Sequence, residues 1–317
     1  MSAATRVVPD LNAALDQLRG EGFRLDSIYP ADDPHSARLS RGAEVVRITM
    51  QPEAALPAGM APFVPEFVLT RRGEGGGQGR AGMLYRDLIP GRLGGRYIAS
   101  HITIPAGGPV ADWVHYHRVV FQLIAVRRGW VRVVYEGQGE PFVINPGDLV
   151  LQPPQIRHRV LESSAGLEVI EIGCPALHET LADHDLELPT AADPERKFGG
   201  QAFVRHVGET APWADFNGGE AQVTRVGVAT DGLAEARFVR AKTGSRLSFA
   251  AHDGELVFGF VLEGSATLDF RDGFALGPGD SFVIPPGEAW SLREASPDFR
   301  LLHVTTARLE IAGNSPL

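Results

Sequence analysis

The chain has 317 residues and a single cysteine, Cys174, so it can form no internal disulfide, and a reducing compartment suits its composition. Long apolar runs are missing too. No stretch approaches the roughly 20 apolar residues of a membrane-spanning helix, and the opening MSAATRVVPDLNAALDQLRG lacks the apolar centre of a secretory signal. Positive charge is scarce: 30 Lys and Arg face 39 Asp and Glu, for a formal charge of −9, and no basic run of the kind that grips phosphates occurs. These absences argue against nucleic-acid and membrane partners, and the expected location is the cytoplasm. What is present, 44% hydrophobic and 22% charged residues, is enough for two or three modest cores. Cys174, in EIGCPALHE at the end of a strand-like run, reads as a small buried residue, because nothing beside it marks a paired base.

Residues 1–52 predict a small α/β module. DLNAALDQLRGEGF places Leu11, Leu15 and Leu18 on one helical face, with Asp10 as N-cap and Gly20 as stop. Strand-like runs follow at Phe23–Tyr29, Ala37–Leu39 and Val45–Thr49. The module resembles half of a vicinal-oxygen-chelate (glyoxalase-like) unit, carries no evident ligand set, and is expected to be a structural appendage. RRGEGGGQGRAG, residues 71–82, reads as a flexible linker within 53–83. From residue 84 onward, short alternating runs broken by Gly and Pro predict a sandwich or barrel.

That β portion repeats. INPGDLVLQPPQIRHRV (144–160) and LGPGDSFVIPPGEAWSL (276–292) share Pro-Gly-Asp and Pro-Pro at a constant offset of 132, and Gly129 answers Gly264 upstream. A duplication predicts two barrels, 84–180 and 216–317, joined by a connector at 181–215.

HYHRVVFQ (115–122), Gly129 and PGDLVLQPPQIRH (146–158) resemble the paired motifs of the cupin superfamily, and the duplication makes the chain similar to the bicupins. The resemblance implies a mainly β fold of two cupin (double-stranded β-helix, jelly-roll) barrels behind the small α/β module. It also implies a metal set of His115, His117, the position of Gln122, and His158, with Gln122 standing where the family usually has Glu. Alternation alone puts His115 and His117 on one strand face and Tyr116 on the other. Gln122, an odd number of residues on, shares their face only if the chain turns between them. Histidine nitrogens with an amide oxygen suit one divalent ion; the resemblance favours Fe(II), with Mn, Ni or Zn open.

In the second copy an offset of 135 sets Ala250 at His115, His252 at His117 and Val257 at Gln122, while 132 sets Trp290 at His158. One ligand of four survives, so this barrel is expected to hold no metal, with Asp253 and Glu255 as loop charges. In RYIASHITIP, Arg96 and Ser100 fall on the face of Ile98, Ile102 and Ile104. Arg96 is therefore a candidate for a substrate carboxylate or for a salt bridge closing the barrel end, and Ser100 a substrate-side neighbour. Glu171, in the apolar run LEVIEIG, is the candidate catalytic base or partner of a ligand histidine, with an exposed strand carboxylate as the alternative. The leading expectation is an oxygenase of the dioxygenase type on a small, anionic organic substrate. A Lewis-acid isomerase, decarboxylase or hydrolase and a non-catalytic binding protein stand as alternatives, and a homodimer is left open.

Overall fold

The computed structural model describes residues 4–51, 60–74, 76–78, 83–242 and 244–309. Among them no helix is long and apolar enough to cross a membrane.

The first barrel is two facing sheets. One, of seven strands, runs in the order 204–206, 149–152, 121–128, 167–174, 98–104, 84–87, 76–78. The other carries, side by side, Phe142–Ile144, Val131–Tyr135, His158–Ser163, His115–His117 and Thr180–Ala182. This second sheet does not stop there. Thr180–Ala182 also pairs with Arg24–Tyr29, and through Ser36–Arg41 and Glu44–Thr49 the sheet continues to Ala4–Val7. The N-terminal module is thus a continuation of a barrel sheet, and the expectation of an appendage is corrected: a free strand edge on either side accepts the other. Its helix, Leu11–Gly20, is capped by Asp10, whose carboxylate accepts the amide of Ala13 at 3.0 Å, and it buries Leu11, Leu15 and Leu18.

The second barrel sets a seven-stranded sheet (214–216, 219–223, 234–240, 300–306, 256–263, 281–283, 68–70) against four strands (247–249, 290–293, 266–270, 272–276). The largest apolar cluster lies between the barrels, not inside one. Phe121, Leu123, Ala125, Ile170 and Ile172 of the first meet Leu256, Phe258, Phe260, Leu302 and Val304 of the second. Runs such as FQLIAV and LVFGFVL are apolar at nearly every position because one face lines a barrel and the other this shared core.

The duplication is visible atom by atom. The carboxylates of Asp148 and Asp280 accept the amides of Asn145 and Gly277, at 2.9 and 3.0 Å. Gly129 and Gly264 sit at φ 73° and 67°, where a Cβ would lie 2.3 Å from Ser164 Oγ and 2.4 Å from Ser296 Oγ. These two positions require glycine for conformation and for room.

Two expected connectors carry pairing. Val68–Thr70 joins the second barrel against Ser281–Val283, while Gly76–Gln78 joins the first against Leu84–Asp87. Positions 75 and 79–82 of the glycine run and 53–59 of the expected linker lie outside the described residues. Within 181–215, Val204–His206 pairs with Leu149–Leu151.

Candidate metal centre

His115, His117 and His158 meet inside the first barrel, each with a ligand atom within 4.8 Å of the others, and all three are buried. Pairing sets the arrangement: His115 lies directly opposite His158 on the neighbouring strand, and His117 follows on the same face two residues along. The ring centroids are 4.3 Å (115 to 158), 5.3 Å (115 to 117) and 5.2 Å (117 to 158) apart.

Each ring is oriented through Nδ1. His115 Nδ1 lies 2.8 Å from the Trp113 carbonyl, His158 Nδ1 3.1 Å from the Ile156 carbonyl, and His117 Nδ1 3.0 Å from Thr180 Oγ1. A ring held this way would present Nε2 to a shared ion, the usual arrangement of metal-ligating histidine.

Between His117 and Phe121 the chain passes from one sheet of the barrel to the other. On the strand Phe121–Arg128, odd-numbered residues enter the shared core, which turns Gln122 toward the barrel interior with Val126. Gln122 is 2% exposed; its Nε2 donates to Glu171 Oε1 at 2.5 Å, while its Oε1 is buried with no hydrogen-bond partner among the described residues. Three imidazoles and an unsatisfied amide oxygen in one barrel fit a divalent ion better than a packed core, where an orphaned acceptor costs about 1–3 kcal/mol.

Glu171 faces the same interior, paired in register with Ser100 on one side and Ile124 on the other. Tyr135, which the sequence reading did not single out, is buried opposite His158 with the rings 5.4 Å apart. Burial and then the Glu171 carboxylate push its hydroxyl well above the ordinary phenol range, so it stays protonated. Its alternation phase on VRVVY pointed inward, but only the fold reveals what lies across from it.

Arg96 is not brought to this centre. It precedes the strand Ile98–Ile104 and so does not follow that strand's alternation. Its Nε and Nη2 donate to Glu255 at 2.9 and 2.8 Å, and its remaining contacts go to the carbonyls of Ala61 and Leu309. Tyr97 donates to the same carboxylate at 3.0 Å. Of the two expected roles the salt bridge is the one found, tying the barrels together, and Glu255 is a buried partner rather than a loop charge. Cys174 is fully buried, and burial pushes its thiol up to about 12, which leaves it inert at neutral pH.

In the second barrel Phe249 pairs with Trp290 as His115 pairs with His158, so Phe249 rather than Ala250 answers His115. The two rings stack at 3.8 Å. His252 lies off this register, its Nε2 3.1 Å from the Ile284 carbonyl. His303 takes the place of Glu171, and neither ring nitrogen has a hydrogen-bond partner among the described residues. Among those residues, only the first barrel gathers a metal-competent histidine group.

Residues 237–305 match the family described as Cupin domain. No curated protein matches the chain in sequence. Among solved structures, salicylate 1,2-dioxygenase from Pseudoaminobacter salicylatoxidans, determined as adducts with gentisate, is similar at 18% identity and TM-score 0.55, covering 78% of this chain and 82% of that one. Lactobacillus farciminis oxalate decarboxylase in its formate complex is similar at 13% identity and TM-score 0.52, covering 82% and 89%. Protein Ylba from E. coli is similar at 10% and TM-score 0.54, covering 81% and 97%. At such identities the likeness concerns the fold alone; with the duplicated turns and the cupin domain matched in the second half, the chain has the two-barrel fold of the bicupins.

Proposed function

We propose that the protein is a metal-dependent oxygenase of the dioxygenase type acting on a small organic anion, with one ion, Fe(II) favoured, held by His115, His117, His158 and the amide oxygen of Gln122. The observation that carries this reading is the buried histidine triad, with an amide oxygen without a hydrogen-bond partner inside the same barrel. Such an ion would supply Lewis acidity and, as iron, access to dioxygen. Three imidazoles and an amide leave its charge uncompensated by direct ligands, which favours an anionic substrate.

The chain's own residues do the remaining work. Glu171 holds the Gln122 amide by its NH2 group, which turns the oxygen of that amide away from the carboxylate. Tyr135 stays protonated and is a hydrogen-bond donor on the His158 side of the barrel. Ser100, 4% exposed and in register with Glu171, lines the same interior. With Arg96 engaged elsewhere, attraction for a carboxylate rests on the ion itself. The two enzymes of similar fold carry small organic acids, gentisate and formate, which supports this substrate class.

The carboxylate of Glu171 inside the barrel favours a second reading, Lewis-acid chemistry with Glu171 as base. Oxygen uptake separates the two. Anaerobically purified, iron-loaded protein screened against small mono- and dicarboxylates and hydroxybenzoates should consume dioxygen with its substrate, and Gln122→Glu should keep the metal yet change turnover. Turnover of an organic acid without oxygen uptake would replace the oxygenase reading by the Lewis-acid one.

A further inference from the structure

Two of the three histidines are oriented by groups that the N-terminal module holds in place. Thr180, whose hydroxyl lies 3.0 Å from His117 Nδ1, sits on a strand of three residues, Thr180–Ala182. A strand that short is marginal as a sheet edge. It is not an edge here, because its far side pairs with Arg24–Tyr29, Thr180 opposite Ile28 and Leu181 opposite Ser27. The flanks are tied down as well. The Ala31 amide donates to the His178 carbonyl at 3.0 Å, and His184 Nε2 lies 2.9 Å from the Leu25 carbonyl. Arg92, on the barrel, bonds Asp32, on the module, at 2.6 Å. The second contact runs through Trp113. Its carbonyl lies 2.8 Å from His115 Nδ1, and its side chain packs on the module core of Leu11, Leu15, Leu39, Val46 and Ile48.

We propose that the N-terminal module is the outer frame of the metal centre: by clamping Thr180–Ala182 and Trp113 it sets the ring planes of His117 and His115, with Thr180 as the positioning residue. The proposal rests on the reading that the triad holds a metal. Groups that orient ligand histidines typically change metal affinity roughly 10- to 100-fold when removed, and here the frame comes from a part of the chain that supplies no ligand of its own.

Cobalt(II) bound to the full-length chain provides the test, because its visible spectrum reports the ligand field and its transfer to a chelator reports the rate of loss. Thr180→Val should shift the spectrum and speed release roughly tenfold or more, and Thr180→Ser, which keeps the hydroxyl, should restore the parent values. Leu39→Ala, in the module core, should also speed release, with the gentler Ile48→Val intermediate. Leu268→Ala, equally buried but in the second barrel, should leave rate and spectrum unchanged. Parent-like cobalt(II) release from both module variants and from Thr180→Val would overturn the proposal, as would equal acceleration by Leu268→Ala. A parent chain that takes up no cobalt(II) would defeat the metal reading itself and this proposal with it.

Discussion

Arg96 and Glu255 form a bidentate pair with side chains 1% and 4% exposed, between the two barrels. Hydrogen bonding to Glu255 is the largest influence on the guanidinium and holds its pKa above the ordinary value despite burial. Removing Arg96 leaves the buried Glu255 carboxylate without its cation, with only the Tyr97 hydroxyl and the Leu309 amide donating to it, a cost of about 3–5 kcal/mol. Arg96→Ala should therefore lower stability to urea by that order while metal content stays at the parent level. A variant with parent stability would contradict the pairing. His115 and His117 share a face because both lie within a strand, and spacing alone conveys this. Arg96 lies just outside its strand, so alternation carried two positions too far misplaced it. Thr180 and Trp113 meet the His117 and His115 rings through a hydroxyl and a backbone carbonyl, groups that no local pattern singles out. For His115 the comparison of copies slipped by one residue, to Ala250 instead of Phe249, because strand pairing, not sequence offset, sets equivalence across a loop.

Elements with strong local periodicity were legible: the helix Leu11–Gly20 with its Asp10 cap, and the Pro-Gly-Asp turns that mark each barrel. Val68–Thr70 and Gly76–Gln78 were not, since their strand character comes from partners elsewhere, in the first case more than 200 residues away. The strand Arg300–Thr306 carries His303 into a cage of Phe249, Trp290 and Phe216, with centroids 5.2, 5.8 and 6.3 Å from its ring. Burial first, then the positive charge of Arg237 and the neighbouring His252, pull this imidazole from its ordinary 6.5 down to about 3. The unfolded chain therefore takes up its proton first as pH falls. The stability this neutral histidine allows is intact above about 6.5 and declines toward pH 3, at up to ~1.4 kcal/mol per pH unit. His303→Phe, which fills the cage without titrating, should flatten the acid limb of stability measured by urea melts between pH 7.5 and 4.5. His101, pulled to about 4 chiefly by burial, preserves part of that limb. An unchanged pH dependence would contradict the assignment.

At the scale of the whole molecule, one ancestral pattern has become two barrels with different interiors fused through a common apolar core. The first keeps a histidine triad, an amide oxygen and a carboxylate; the second replaces the paired His115 and His158 with the stacked rings of Phe249 and Trp290 and sets His303 where Glu171 stands. The duplication was open to a reader of the sequence because its turns require glycine, proline and aspartate. The continuation of the first barrel into the N-terminal module was not, since nothing in a strand's own residues names its neighbour. If only the first barrel holds a metal, the number of metal equivalents per chain reveals it. In protein loaded with excess iron(II) under anaerobic conditions and then desalted, elemental analysis should find one equivalent in the parent and in His252→Ala, and little in His158→Ala. Two equivalents in the parent, or a full equivalent retained by His158→Ala, would contradict it.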